Sequence, residues 1–200
     1  MIRKRTTLTT SERKQRLFLL LFGVILLGAA SGVLFLLLKQ QGASLGWTRI
    51  VGTFFQAEQT VLSLCSEAVS GALIFLLCLF FLGFSAIGQP GAMITLLAYG
   101  FCIGGALSVQ CSVGNPLLRS LCLLPYFVPV SVLMVIATRE SLRFSGLFTA
   151  YGFRDDPADQ MYHRFRMYCA RFTVLLVFLL VIAALYSLAF YGISTAGQMS

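Results

Sequence analysis

The sequence predicts an all-α, polytopic membrane protein with about five transmembrane helices, a tight hairpin between helices 2 and 3, and amphipathic flanking helices. Of its 200 residues, 58% are hydrophobic and 11% are charged, whereas a soluble domain is about half apolar and a quarter charged. The apolar residues fall in runs long enough to cross a bilayer, and Lys and Arg flank those runs. We therefore interpret the chain as one membrane domain, and its net charge of +8 as a topology and lipid signal. The charges form no basic face with interleaved aromatic residues, so nucleic acid is not an expected partner.

The chain opens with a predicted basic cytoplasmic arm, residues 1–16, and a first transmembrane helix, residues 17–38. A signal peptide is the rival interpretation, because a charged stretch precedes an apolar run. That run is longer than a signal-peptide core and ends in Lys39-Gln40-Gln41 without a small-residue cleavage site. We therefore expect it to span the membrane.

Residues 39–70 are too polar to span and are predicted to form an extracytoplasmic amphipathic segment. Their apolar residues recur at three- and four-residue steps, which is typical of one helix face. An apolar helix face is a common binding surface, and packing against the protein's own helices or lipid is the alternative. The residues proposed to bind a partner are Trp47, Ile50, Phe54, Val61 and Cys65.

A tight hairpin is predicted next, with helix 2 at residues 71–87, a turn at 88–90 and helix 3 at 91–110. Gly88 is expected to end helix 2 in the left-handed conformation. Pro90 suits the first turn of helix 3, where its missing N–H needs no partner, and Gln89 lies between them.

Within helix 3, Gly100 and Gly104 form a small-xxx-small pattern. Such a pattern allows the backbone of another helix to approach closely. We expect both glycines to face a neighbouring helix.

Helix 4 is predicted at residues 116–137, with Pro125 and Pro129 inside it. Internal prolines free backbone carbonyls, so this helix is expected to be bent, broken or lining a cavity. A cytoplasmic loop with an amphipathic helix follows at residues 138–171, and helix 5 at 172–193.

The distribution of Lys and Arg predicts the orientation in the cell membrane. Twelve of these residues lie in the N-terminal arm and the 138–171 segment, and three lie on the other side. By the positive-inside rule the N-terminus is cytoplasmic and the C-terminus extracytoplasmic.

The sequence offers no set of residues for catalysis. Its single histidine, His163, lies in an arginine-rich stretch, and its six cysteines show no CxxC spacing, so no zinc site, cofactor or enzyme activity is expected. Glu140 is expected to form a surface ion pair with the flanking Arg139 or Arg143. A Cys65–Cys111 disulfide is left open.

Five stretches, in order, resemble the stage II sporulation protein M family. They are LGFSAIGQP at residues 82–90, YGFCIG at 99–104, LLP at 123–125, ATRESLRFS at 137–145 and MYCARF at 167–172. The part that carries the resemblance best covers roughly residues 71–145. Pro125 matches the family's proline in helix 4, whereas Pro116 and Pro129 depart from the family pattern.

The resemblance implies a non-catalytic membrane scaffold of endospore-forming bacteria. Such a protein would anchor or recruit peptidoglycan-remodelling partners, including peptidoglycan hydrolases, during engulfment of the forespore. A small transporter or channel subunit without its own ATPase is the alternative. The sequence leaves the oligomeric state open.

Overall fold

The computed structural model describes residues 10–39, 61–85, 87–111, 116–151 and 158–198. The regular secondary structure of these residues is entirely α-helical, which confirms the predicted all-α class. The helices are α1 (Thr10–Lys39), α2 (Val61–Leu82), α3 (Gly88–Cys111), α4 (Pro116–Tyr151) and α5 (Ala158–Gln198).

Three helical segments within these ranges are long and apolar enough to cross a membrane: Gln15–Phe35, Gly88–Ser108 and Tyr162–Ala189. A shorter apolar segment, Val69–Leu82, lies in α2. Large apolar side chains point outward on these helices, and lipid is the solvent that stabilises such exposure. Examples are Leu27, Ile94 and Leu185, each more than 60% exposed. The class is therefore a helical membrane protein, and the predicted spans at 71–87 and 116–137 stay predictions.

The hairpin between α2 and α3 is present, but its predicted limits are wrong. α2 ends at Leu82 and α3 begins at Gly88, so the turn lies between these two residues and not at 88–90. Gly88 does not have the positive φ expected of a helix-ending glycine. It is instead the first residue of α3, and Pro90 lies in the first turn, where a missing N–H costs nothing.

α2 and α4 are longer than predicted. α2 begins at Val61, so the last part of the predicted 39–70 segment belongs to the same helix as residues 71–82. α4 continues through Pro125 and Pro129 to Tyr151, beyond the predicted boundary at 137. Of the three expected outcomes, a bend, a break or a cavity-lining helix, the break is therefore excluded, because each proline removes one helical hydrogen bond and keeps a helical φ. α5 joins part of the predicted amphipathic helix to the predicted span at 172–193 in one continuous helix.

The helices pack around a core that all five of them contribute to. α1 packs chiefly on α3, α3 on α4, and α2 on α5. Leucines at helical spacing on the inward faces of α2, α3 and α5 are almost completely buried, among them Leu76, Leu79, Leu96 and Leu179. This packing brings the ends of α2, α4 and α5 together around the α2–α3 turn.

Candidate functional site

The carbonyl groups at the end of α2 all find donors. A helix leaves its last four carbonyls without partners inside the helix. The N–H of Gly83 bonds to the Leu79 carbonyl at 3.2 Å, and those of Phe84 and Ser85 bond to Phe81 and Leu82 at 3.1 Å. The remaining carbonyl, that of Phe80, accepts a hydrogen bond from the Tyr168 hydroxyl of α5 at 3.0 Å. The end of α2 is therefore completed by a side chain that is distant in sequence.

Ser145 of α4 binds the turn itself. Its buried hydroxyl donates to the Ser85 carbonyl at 2.8 Å, which also accepts the N–H of Gly88 at 2.9 Å. The Ser85 hydroxyl in turn accepts the N–H of Ile87 at 3.2 Å. One serine side chain from α4 thus fixes the tightest part of the α2–α3 connection.

Two glycines leave room for these contacts. A Cβ atom at Gly83 would overlap the Tyr168 hydroxyl, and one at Gly88 would overlap the Leu82 carbonyl oxygen and lie 2.8 Å from the Ser145 hydroxyl. Gly83, Gly88, Ser145 and Tyr168 form what we call the turn clamp. Its geometry requires glycine for close approach at both positions.

An aromatic cluster surrounds the turn clamp. The ring of Tyr168 stacks on Phe144 with centroids 4.3 Å apart and an interplanar angle of 19°, and it also stacks on Phe80 at 5.5 Å. Phe84 contacts the rings of both Tyr168 and Phe144 edge-on. Offset and edge-to-face ring pairs add to the apolar burial, so the cluster fixes α2, α4 and α5 to one another. Its members are Phe80, Phe84, Phe144, Phe165, Tyr168 and Phe172.

An ion pair lies beside this cluster. Arg171 of α5 pairs with Glu140 of α4. The expected surface ion pair of Glu140 is therefore present, but its partner comes from α5 and not from the neighbouring Arg139 or Arg143. The reason is tertiary, because α5 crosses α4 at the position of Glu140.

A cleft of about 310 Å³ opens between α4 and α5 next to that ion pair. Three arginines and one glutamate line it, together with the buried side chains of Phe144 and Tyr168. We call it the basic cleft. Its arginines are Arg143, Arg164 and Arg171.

A second close contact joins α1 to α3. A Cβ atom at Gly100 would overlap the Ile25 carbonyl oxygen, and one at Gly104 would overlap that of Ala29. Gly28 and Gly32 of α1 approach the α3 backbone in the same way, at Leu97 and Phe101. The residue numbers of the contacting positions increase together along the two helices, from Ile25 with Gly100 to Ala29 with Gly104. α1 and α3 therefore run in the same direction. Gly28, Gly32, Gly100 and Gly104 form what we call the glycine interface.

The other predicted residues of the hairpin and α4 lie at the surface. Gln89 and Pro90 are exposed in the first turn of α3, and Gly146 leaves room for the Gln89 amide, which lies 3.2 Å from the position of a Cβ there. Pro125 is exposed within α4. These residues shape the helices and are not gathered at one chemical site.

The predicted partner-binding residues fall in two groups. Trp47, Ile50 and Phe54 lie outside the described residues. Val61 is the first residue of α2. Cys65 is a free thiol, half-buried and packed against the core cluster. The disulfide that the sequence left open is therefore not formed at this residue, and its role in binding a partner stays a prediction.

Sequence reasoning missed Ser145 and Tyr168 as contacts of the turn, and it missed the basic cleft. Both residues belong to stretches quoted for the family resemblance, 137–145 and 167–172, which was the available signal. Within the ranges that the structure describes, no group of three or more His, Cys, Asp or Glu side chains could hold a metal ion.

Comparison of the chain with protein-family models, with curated proteins and with solved structures finds no match. The fold and the geometry thus define a helical membrane protein with a clamped helix hairpin and a basic cleft. The likeness to the stage II sporulation protein M family stays a prediction from the quoted residues.

Proposed function

We propose that this protein is a non-catalytic membrane scaffold, and that it anchors or recruits peptidoglycan-remodelling partners during forespore engulfment. One observation supports this best: three separate stretches that resemble the stage II sporulation protein M family meet at the turn clamp. Residue 85 lies in the stretch 82–90, residue 145 in 137–145 and residue 168 in 167–172, and their contacts join α2, α4 and α5. If the family keeps these stretches for one structural purpose, their residues are expected to meet at one place in the fold, as they do at the α2–α3 turn.

The chemistry of the clamp favours a structural role. Its hydroxyl groups donate to backbone carbonyls, and so do those of Thr138 and Ser187, each at 2.8 Å. These bonds satisfy the hydroxyl groups themselves, which are costly to leave unpaired in lipid. A rigid bundle of this kind is suited to holding flanking segments at the membrane surface, which is what a scaffold requires.

The proposed topology gives the two sides of the scaffold different tasks. With the N-terminus in the cytoplasm, the α2–α3 turn and the basic cleft face the cytoplasm, while the 39–70 segment faces the cell wall. A cysteine placed at Ser200 in a cysteine-free background should react with an impermeant thiol reagent in intact cells. Labelling that requires permeabilised membranes would reverse this orientation.

Recruitment is tested by crosslinking the tagged protein in sporulating cells of its native host and identifying what co-purifies. Peptidoglycan hydrolases should be enriched over an untagged control. A membrane-associated ATPase as the main product would instead support a transporter or channel subunit.

The recruiting surface is tested by Ile50→Ser with Phe54→Ser. We expect normal amounts of protein in the membrane and loss of the hydrolases from the purified complex, because the apolar face supplies the binding energy. Gln56→Ala with Gln59→Ala, on the polar face of the same segment, is the matched control and should keep its partners. An abundant apolar-face variant that still recruits them would move the surface to the cytoplasmic arginine-rich part of α5.

A further inference from the structure

Two prolines lie inside α4 without interrupting the helix. α4 runs from Pro116 to Tyr151 through Pro125 and Pro129, and the backbone around the prolines shows no 3₁₀ or π turn. A proline inside an α-helix has no N–H for the carbonyl four residues before it. Pro129 therefore leaves the carbonyl of Pro125 without a donor from its own helix. Among the described residues, no side chain donates to this carbonyl either.

The face of α4 that carries this carbonyl is exposed. Pro125 itself is exposed, and Leu124 and Val128 beside it are 50% and 52% exposed. Farther along the same face, Ile136 is 41% exposed and Val132 is half-buried. These apolar residues recur at four-residue steps, so they form a ridge along the helix. We call it the α4 ridge, and its members are Leu124, Val128, Val132 and Ile136.

The prolines lie at the depth of apolar lipid. The ring of Tyr126 contacts that of Tyr186, with centroids 5.0 Å apart, and Tyr186 belongs to the candidate span Tyr162–Ala189. At the same level of α5, Leu185 is 63% exposed, which indicates that hydrocarbon surrounds both helices there. Lipid tails carry no hydrogen-bond donor, and a backbone carbonyl left unpaired among them is costly. The Pro125 carbonyl therefore requires a donor from beyond the described residues.

A second copy of the chain offers no such donor on its described surface. The α4 ridge consists of leucine, valine and isoleucine side chains, so two ridges that face each other would leave both carbonyls unpaired. Ser31, Thr95 and Thr173, on α1, α3 and α5, already donate their hydroxyl hydrogens within their own helices, at 2.7, 2.9 and 3.0 Å. The donor that the carbonyl requires is therefore expected from a different protein.

We propose that the α4 ridge is the docking surface for a transmembrane helix of another membrane protein. That helix packs apolar side chains on the ridge and donates a hydrogen bond to the Pro125 carbonyl from a hydroxyl or amide side chain. Such polar side chains commonly form hydrogen bonds between membrane helices. The ridge supplies the contact area, and the carbonyl sets the register of the partner. This interface does not depend on the recruitment of wall enzymes, which we assign to the 39–70 segment.

Photocrosslinking in cells of the native host tests the surface directly. Val128→p-benzoylphenylalanine probes the α4 ridge. Phe178→p-benzoylphenylalanine is the matched control, because Phe178 is 58% exposed on α5, a helix that contains no proline. The tagged chain is purified, and mass spectrometry identifies the crosslinked peptides. Leu124, one turn from Val128, provides a second position for the probe if the first lowers the amount of protein.

We expect the ridge probe to crosslink to an apolar segment of another membrane protein, within one helical turn of a Ser, Thr, Asn or Gln. The control probe should give no protein product. Alanine in place of that partner side chain should lower the yield of the crosslink about fivefold, the factor that one hydrogen bond of average strength represents. A crosslinked segment without a donor side chain at that place would contradict the proposal.

Pro129→Ala tests the role of the carbonyl from this side of the interface. Alanine restores the N–H that bonds to the Pro125 carbonyl within α4, so the carbonyl no longer requires a partner. The yield of the ridge crosslink should fall about fivefold. The melting temperature in mild detergent should stay the same or rise, because alanine favours a helix. Pro90→Ala is the matched control and should keep the crosslink, since Pro90 lies in the first turn of α3, where a missing N–H costs nothing.

Three further results would overturn the proposal. A ridge probe that captures no more protein than the control probe would show that lipid covers this face of α4. A crosslink between two copies of the chain would make the ridge a surface for self-association. Full crosslinking of the Pro129→Ala variant would show that the partner does not recognise the carbonyl.

Discussion

The glycine interface and the turn clamp both hold helices together, and they do so by opposite means. At the glycine interface, α1 and α3 approach so closely that their backbones touch at Gly28, Gly32, Gly100 and Gly104. At the turn clamp, side chains from α4 and α5 reach the backbone of α2 and the turn through Ser145 and Tyr168. The first contact depends on the absence of side chains alone, whereas the second combines two glycines with the side chains of Ser145 and Tyr168.

The difference has an energetic consequence in a membrane. Lipid supplies no hydrophobic force between helices, so close van der Waals contact is the main attraction that glycines provide. Aromatic and hydroxyl side chains add ring pairing and hydrogen bonds, but each of these contributes a small and separable amount. We therefore expect the glycine interface to fail at once under substitution and the turn clamp to weaken in steps.

The largest effect is expected for Gly104→Leu. The backbone of Ala29 lies within 2.8 Å of the position of a Cβ atom there, so a leucine forces α1 away from α3 and costs about 3 kcal/mol or more. A thermal melt in mild detergent should show this loss. Leu97→Phe, at a side chain that is 45% exposed, should leave the melting temperature unchanged. A Gly104→Leu protein that accumulates and melts like wild type would contradict close packing.

Tyr168→Ala should come next, at about 3 kcal/mol, because it removes a buried ring from the aromatic cluster and the donor to Phe80. Tyr168→Phe keeps the ring and loses the hydrogen bond, so it should cost only about 1 kcal/mol. Chemical denaturation of both variants separates the two contributions. Similar losses for both would mean that the hydroxyl, and not the ring, holds α5 in place.

Gly88→Ala should cost about 2 kcal/mol, because its methyl group would overlap the Leu82 carbonyl oxygen. Gly23→Ala is the matched control, since open space surrounds that position, and alanine there should be neutral or stabilise α1 by up to about 1 kcal/mol. The same denaturation assay applies. If both substitutions have the same sign, the turn does not require a glycine for close approach.

The smallest effect is expected for Ser145→Ala, at about 1 kcal/mol, because the Ser85 carbonyl keeps its bond from the Gly88 N–H. Ser187→Ala removes a hydroxyl that bonds within its own helix, to Ala183, and should cost less. Hydrogen exchange at the Ile87 and Gly88 amides should rise in the Ser145 variant alone. Unchanged exchange at those amides would remove Ser145 from the turn clamp.

The family resemblance can be recognised in the sequence, whereas the basic cleft becomes visible only in the folded structure. Residues 82–90 and 137–145 both resemble one family, and nothing in their local pattern shows that Ser145 contacts Ser85. The arginines were predicted as topology signals, and their gathering into one cleft depends on the crossing of α4 and α5.

The sequence by itself determined the helical class, the apolar segments and the presence of a hairpin near Pro90. These features are local, because residue periodicity, composition and proline chemistry act within a few turns of helix. It also determined that Gly100 and Gly104 should face a helix, since four-residue spacing places two glycines on one side. Only the tertiary structure decided that this helix is α1, that Gly88 begins α3, and that Tyr168 completes α2. Each of these depends on which helices pack together and on how far they are shifted along their axes. Both are set by packing between residues that are far apart in the chain.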